Sequence, residues 1–99
     1  MTLKMQRSSG NVFSDLGFGP EEAEHLRIRA DLMIAVRKVI ASRKLTQTQA
    51  AKLFGVTQPR VSNLVRGRIE LFSIDTLVDM LAAAGVPVKL TVGRRSQVA

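Results

Sequence analysis

The sequence predicts a mainly α-helical fold, a bundle of four or five helices, followed by one C-terminal β-strand. Three observations carry this prediction. Apolar residues recur at helical spacing from Leu32 to Ile40 and again from Ile74 to Leu81. Between these stretches, Thr46 to Gly67 holds two complete sets of helix start and stop signals joined by a short turn. After Gly85 the period falls to two, with Val86, Val88, Leu90 and Val92 alternating with Pro87, Lys89 and Thr91.

The chain has 99 residues, 45% of them hydrophobic, which suits one small domain. Its expected divisions are an N-terminal arm and apolar segment over 1–19, a helical domain over 20–85, a strand over 86–93 and a tail over 94–99. Met1 to Gly10 is polar, basic and rich in small residues, the composition of a flexible arm. Lys4 and Arg7 would suit such an arm to a DNA minor groove. The next stretch, Asn11 to Pro20, sets Val12, Phe13, Leu16 and Phe18 among turn formers and is too apolar for a solvated tail. It packs on its own domain or dimer mate, or it docks a separate partner.

Pro20 opens the first helix, with Glu21 and Glu22 at the positive end of the helix dipole. Arg37, Lys38, Arg43 and Lys44 gather at the far end. Leu32, Val36, Val39 and Ile40 give it one buried face, and Arg27, Asp31 and Lys38 fall where they can meet water. Thr46 and Gln49 have the spacing of a capping box, and Gly55 supplies a left-handed stop. Thr57 caps the following helix, Pro59 sits in its first turn and Gly67 closes it. Ala50, Ala51, Leu53, Phe54, Val61, Leu64 and Val65 would share a core. Ile69, Leu71 and Phe72 should plug that core before Ser73 caps the last helix. The final strand has no sequence partner of comparable strength. It is therefore expected to add to the same strand of a twofold mate, through Val86, Val88, Leu90 and Val92, to the Asn11–Phe13 segment, or to a partner's sheet.

Composition narrows the function. Lys and Arg outnumber Asp and Glu by 15 to 8, a net charge of +7, which favours polyanionic partners. The absence of cysteine excludes disulfides and thiol chemistry and fits a reducing cytoplasm. The basic start runs directly into Ser8-Ser9-Gly10, without the apolar core of a signal peptide, and charge interrupts every apolar patch too soon for a membrane span. His25 is the one histidine and has no second ligand at metal spacing, so an exposed helix-surface role outweighs catalysis. No phosphate-cradling glycine loop or paired nucleophile and base is present. Neither an enzyme nor a cofactor is expected.

The two capped helices carry residue types that read DNA. A major groove admits one helix, whose first residues reach furthest. That makes Gln58, Arg60 and Asn63 the base-edge candidates, because glutamine or asparagine pairs with adenine and arginine grips guanine. Gln47 begins the preceding helix, where a phosphate is favoured. Thr46, Thr57, Ser62, Arg66, Arg68, Arg43 and Lys44 complete the phosphate candidates.

The run Leu45-Thr46-Gln47, Ala50-Ala51, Gly55-Val56, Gln58, Val61-Ser62, Leu64 and Gly67 resembles the helix-turn-helix of the XRE family, the lambda-repressor-like Cro and repressor proteins. With its flanking helices the resemblance covers about Glu21 to Gly85, and it implies a compact bundle that binds operator DNA as a homodimer. Pro59 departs from the small polar residue frequent at that place, leaving more of the readout to Gln58 and Arg60. The wider arrangement is similar to HigA-type antitoxins, through Asn11 to Phe18, the long first helix, the Phe72-Ser73 joint and the Val88-Lys89-Leu90-Thr91-Val92 strand. This similarity implies a repressor of its own operon that neutralises a small basic, mRNA-cleaving toxin, with the strand used in dimerisation. Val12, Phe13, Leu16 and Phe18 are the physical candidates for the toxin contact. A solitary or phage-type repressor, and a protein-interaction module with the helix pair as scaffold, are the alternatives.

Overall fold

A computed structural model describes residues 3–6, 13 and 16–93. Among them the order is β1 (Leu3–Gln6), α1 (Pro20–Ser42), α2 (Gln47–Phe54), α3 (Gln58–Val65), a 3₁₀ turn (Ile69–Leu71), α4 (Ile74–Ala83) and β2 (Val88–Thr91). Val12 and the 94–99 tail lie outside the described residues. The helical bundle agrees with the sequence reading, element by element.

The helices begin and end where local chemistry requires. Pro20 occupies the first turn of α1 with Glu21 and Glu22 beside it. Thr46 and Gln49 form the complete capping box of α2: the Thr46 hydroxyl accepts from the Gln49 amide at 3.1 Å, and the Gln49 side chain accepts from the Thr46 amide at 2.9 Å. Gly55 then turns with φ 70°. Ser73 caps α4 by accepting from the Thr76 amide at 3.1 Å. At the far end of α4, Gly85 donates to Ala82 and Val86 donates to Leu81, a Schellman closure whose apolar pair, Leu81 and Val86, is fully buried.

The end of α1 uses the same closure without a glycine. Lys44 donates to Ala41 and Leu45 to Ile40, while Lys44 itself takes φ 52°. Arg43 and Lys44 fall just beyond the helix, so the last turn of α1 contains no basic residue. The chain breaks there because Leu45 must turn back to reach the core edge, which it joins as a half-buried side chain.

One apolar cluster holds the bundle. Leu32, Met33, Val36 and Val39 of α1 meet Ala50, Ala51 and Phe54 of α2, Val61 and Leu64 of α3, and Leu77, Met80 and Leu81 of α4. Phe72 is the largest of the fully buried side chains. Two expected core members are exposed and two are half-buried. Val65, at the end of α3, is 39% exposed and Leu71 42% exposed, while Leu53 and Ile69 are half-buried at the core edge.

The strand β2 has a partner in its own chain. It pairs in parallel with β1, in the register Leu3–Val88, Lys4–Lys89, Met5–Leu90 and Gln6–Thr91. The expected flexible arm over Met1 to Gly10 is therefore corrected at residues 3–6, and so is the expectation of a strand unpaired within its chain. The physical reason is that four alternating residues, Leu3-Lys4-Met5-Gln6, suffice to satisfy one edge of a four-residue strand. Val86 is corrected as a dimerisation residue, since it lies in the core ahead of β2 and is wholly buried. Val88 packs half-buried against that core, whereas Leu90 and Val92 are 65% and 83% exposed.

Candidate nucleic-acid interface

The helix pair α2–α3 is positioned by its core face. Val61 and Leu64 are buried, so a helix of 3.6 residues per turn sends Pro59, Asn63 and Arg66 toward the opposite side. Gln58 and Arg66 are exposed, and Ser62 and Asn63 are half-buried. Gln47 is exposed at the first position of α2. Gln47, Gln58, Asn63 and Arg66 thus lie along two adjacent helix N-termini and the outer face of α3.

Thr48 links the two helices. Its hydroxyl stands 3.4 Å from the side-chain oxygen of Gln58, a contact between the first turns of α2 and α3. This is a weak hydrogen bond by distance, but it restricts the side chain at the front of α3. Sequence spacing did not single out Thr48. The signal available was its place one residue after Gln47, in the first turn of the helix that precedes α3.

Thr57 stands at the N-cap of α3 with extended backbone, yet its side chain makes no cap hydrogen bond. Pro59 removes one of the two amides that such a cap ordinarily engages. The Thr46 hydroxyl, by contrast, is already committed to its capping box.

Arg60 does not project outward with Gln58. Its guanidinium lies 4.7 Å from the centre of the Phe72 ring and donates to the Leu71 carbonyl at 3.2 Å. In this arrangement Arg60 occupies the flank of α3 that faces the 3₁₀ turn, beside the exposed front that Gln58 begins. Arg43 likewise has local work. It donates to the Ala84 carbonyl at 3.4 Å, where a cation meets the negative end of α4. Arg68 approaches Glu70 at 4.0 Å while both remain exposed, a contact worth little. Lys44 and Arg66 are exposed and make no ion pair among the described residues.

The apolar docking candidates divide. Phe13 is half-buried against α1 and the Gly67–Ile69 connection, and its ring meets Phe18 edge-on with centroids 6.2 Å apart. Phe18 is 41% exposed and Leu16 69% exposed. Among the described residues no helix is long and apolar enough to cross a membrane.

Comparison with known proteins agrees with this geometry. No curated protein matches the chain. Among solved structures, it is similar to one titled "Putative XRE Family Transcriptional Regulator", at 29% identity and a TM-score of 0.71, over 79% of this chain and 88% of that one. The family described as "Helix-turn-helix domain" matches residues 12–93, which takes in every helix described above. The chain therefore belongs to that helix-turn-helix family.

Proposed function

We propose that this protein is a sequence-specific, double-stranded-DNA-binding transcriptional repressor that acts as a homodimer and serves as the antitoxin of a type II toxin–antitoxin pair. The observation that carries the DNA reading is the exposed front of α3, with Gln58 at its first position and Gln47 at the start of α2. The similarity to a solved XRE-family regulator supports it, as does the net charge of +7. Gln58 and Asn63 are assigned to base edges; Gln47, Thr57, Ser62, Arg66, Arg68 and Lys44 are assigned to phosphates.

Dimerisation is assigned to the sheet. With β1 on one side of a two-stranded sheet, the other edge of β2 is open to a mate, and Leu90 and Val92 supply exposed apolar surface beside it. Toxin capture is assigned to Leu16 and Phe18, which stay exposed on a segment otherwise anchored by Phe13. These exposed side chains also favour a second reading, an interaction module whose helix pair is a scaffold.

The test is selection of binding sites from random duplex DNA, followed by affinity measurement over a range of salt. Log affinity should fall linearly with log salt, and the selected duplex should bind more tightly than random sequence throughout. Equal affinity for both at moderate salt would falsify sequence-specific repression and leave the interaction module.

A further inference from the structure

We infer that the face between α1 and α3 is a docking groove for an acidic amphipathic helix of a partner protein. Ile34, Arg37, Lys38 and Ala41 stand at i, i+3, i+4 and i+7, one stripe along α1. Val65 faces this stripe from α3. Ile34 and Val65 are 48% and 39% exposed, although Leu32, Val36 and Val39 of the one helix and Val61 and Leu64 of the other feed the core. Together with Ile40 they line a groove of about 470 Å³.

The groove continues past its own end. Ile34 and Arg37 also line an adjoining hollow of about 260 Å³ with Phe13, Met33, Gly67 and Ile69. The strip runs along α1 from Ala30 to Ala41, about 16 Å at the rise of an α-helix, and Phe13 extends it. That length matches two to three turns of a docked helix, read through apolar anchors one turn apart.

Charge chooses the occupant. Among the described residues, the ionisable side chains lining the two hollows are Arg37 and Lys38, with no carboxylate beside them. Both are exposed and take part in no ion pair among the described residues. A second copy of this chain seated face to face would set these cations against their twins, which argues against a homodimer here. A phosphate backbone would satisfy the cations but would leave the Ile34–Val65 floor against a polar surface. An apolar stripe flanked by Glu or Asp satisfies both. This inference is independent of DNA binding and concerns a surface other than Leu16 and Phe18.

The test titrates the full-length, isotope-labelled protein with two synthetic helix-forming peptides. They share apolar positions and differ only in flanking residues, Glu in one and Lys in the other. The Glu peptide should shift the amides of Ile34, Arg37, Ala41 and Val65 and bind about tenfold or more tightly than the Lys peptide. The double variant Arg37→Glu, Lys38→Glu should reverse that preference while its melting temperature holds. Ile34→Ser, which leaves the charge unchanged, should weaken both peptides. Equal binding of the two peptides, binding by neither, or shifts confined to Leu16–Phe18 or Leu90–Val92 would overturn the inference. So would movement of these amides on dilution, which marks self-association, or on adding random duplex DNA when the Glu peptide leaves them unmoved.

Discussion

Arg60 lies over the ring of Phe72, 4.7 Å from its centre, and ties α3 to the connection that follows it. Phe72 is 1% exposed, so the guanidinium covers the outer face of a core residue. Its second bond, to the Leu71 carbonyl, fixes the backbone that delivers Phe72 inward. Removing the side chain should therefore loosen the joint before it alters base recognition. Arg60→Ala is expected to cost about 0.5–2 kcal/mol of stability. For a domain this size, each 1 kcal/mol corresponds to a fall of about 4–8 °C in melting temperature. Thermal denaturation monitored by circular dichroism checks this; an unchanged melt with lost operator affinity would return Arg60 to the reading set.

Lys44 predicts an opposition between stability and binding. It adopts φ 52° at a place where α4 uses Gly85, and a left-handed conformation costs a non-glycine residue about 1–2 kcal/mol. Lys44→Gly should raise stability by about 1 kcal/mol after allowing for the glycine's greater freedom when unfolded. If the ammonium meets a phosphate, the same change should reduce the salt slope of DNA binding by about 1. Both measurements are needed: a more stable variant with an unaltered slope would leave Lys44 without a DNA contact.

Gln58 and its neighbour Thr48 should separate recognition from positioning. Gln58→Ala should cost about 1–3 kcal/mol on a selected duplex and little on random sequence. Thr48→Val keeps the size of the side chain but removes the hydroxyl that stands 3.4 Å from Gln58. Its effect should be smaller and should disappear when Gln58 is already alanine. A double-mutant cycle in a DNA-binding assay measures this coupling, and additive losses would show that Thr48 does not act through Gln58.

These contrasts also mark what the sequence made legible. Helix ends were readable because caps are local: Thr46 with Gln49, Ser73, and Gly55 each act within a few residues of themselves. The core faces followed from period, through residues such as Leu32, Val36, Val61, Leu64 and Leu77. The tie between Arg60 and Phe72 was not legible because helical spacing places Arg60 on α3 without revealing Phe72, which reaches it only after the 3₁₀ turn. Val65 was misread for a related reason, since an apolar residue at the margin of a helix face is buried only if a neighbour covers it. The strand β1 was hidden by length. Four alternating residues in a polar stretch give a weak periodic signal, and their pairing joins opposite ends of the chain.

That pairing supports a final prediction. A parallel two-stranded sheet has little independent stability, so the β1–β2 ladder should depend on its attachment to the bundle. On the side of β2 the attachment is through Val86, fully buried, and Val88, half-buried, while Leu90 and Val92 are exposed. Deleting residues 1–7 should accelerate hydrogen exchange in Val88–Thr91 and change the melting of the bundle by little, since α1, α2, α3 and α4 supply one another's core contacts. The newly freed edge would also offer a second site for strand addition, so the deletion should promote association at high concentration. Sedimentation measures that tendency alongside exchange. Retained protection in a dimeric deletion variant would mean that β2 is held by a mate, whereas retained protection in a monomer would show that β1 does not support β2.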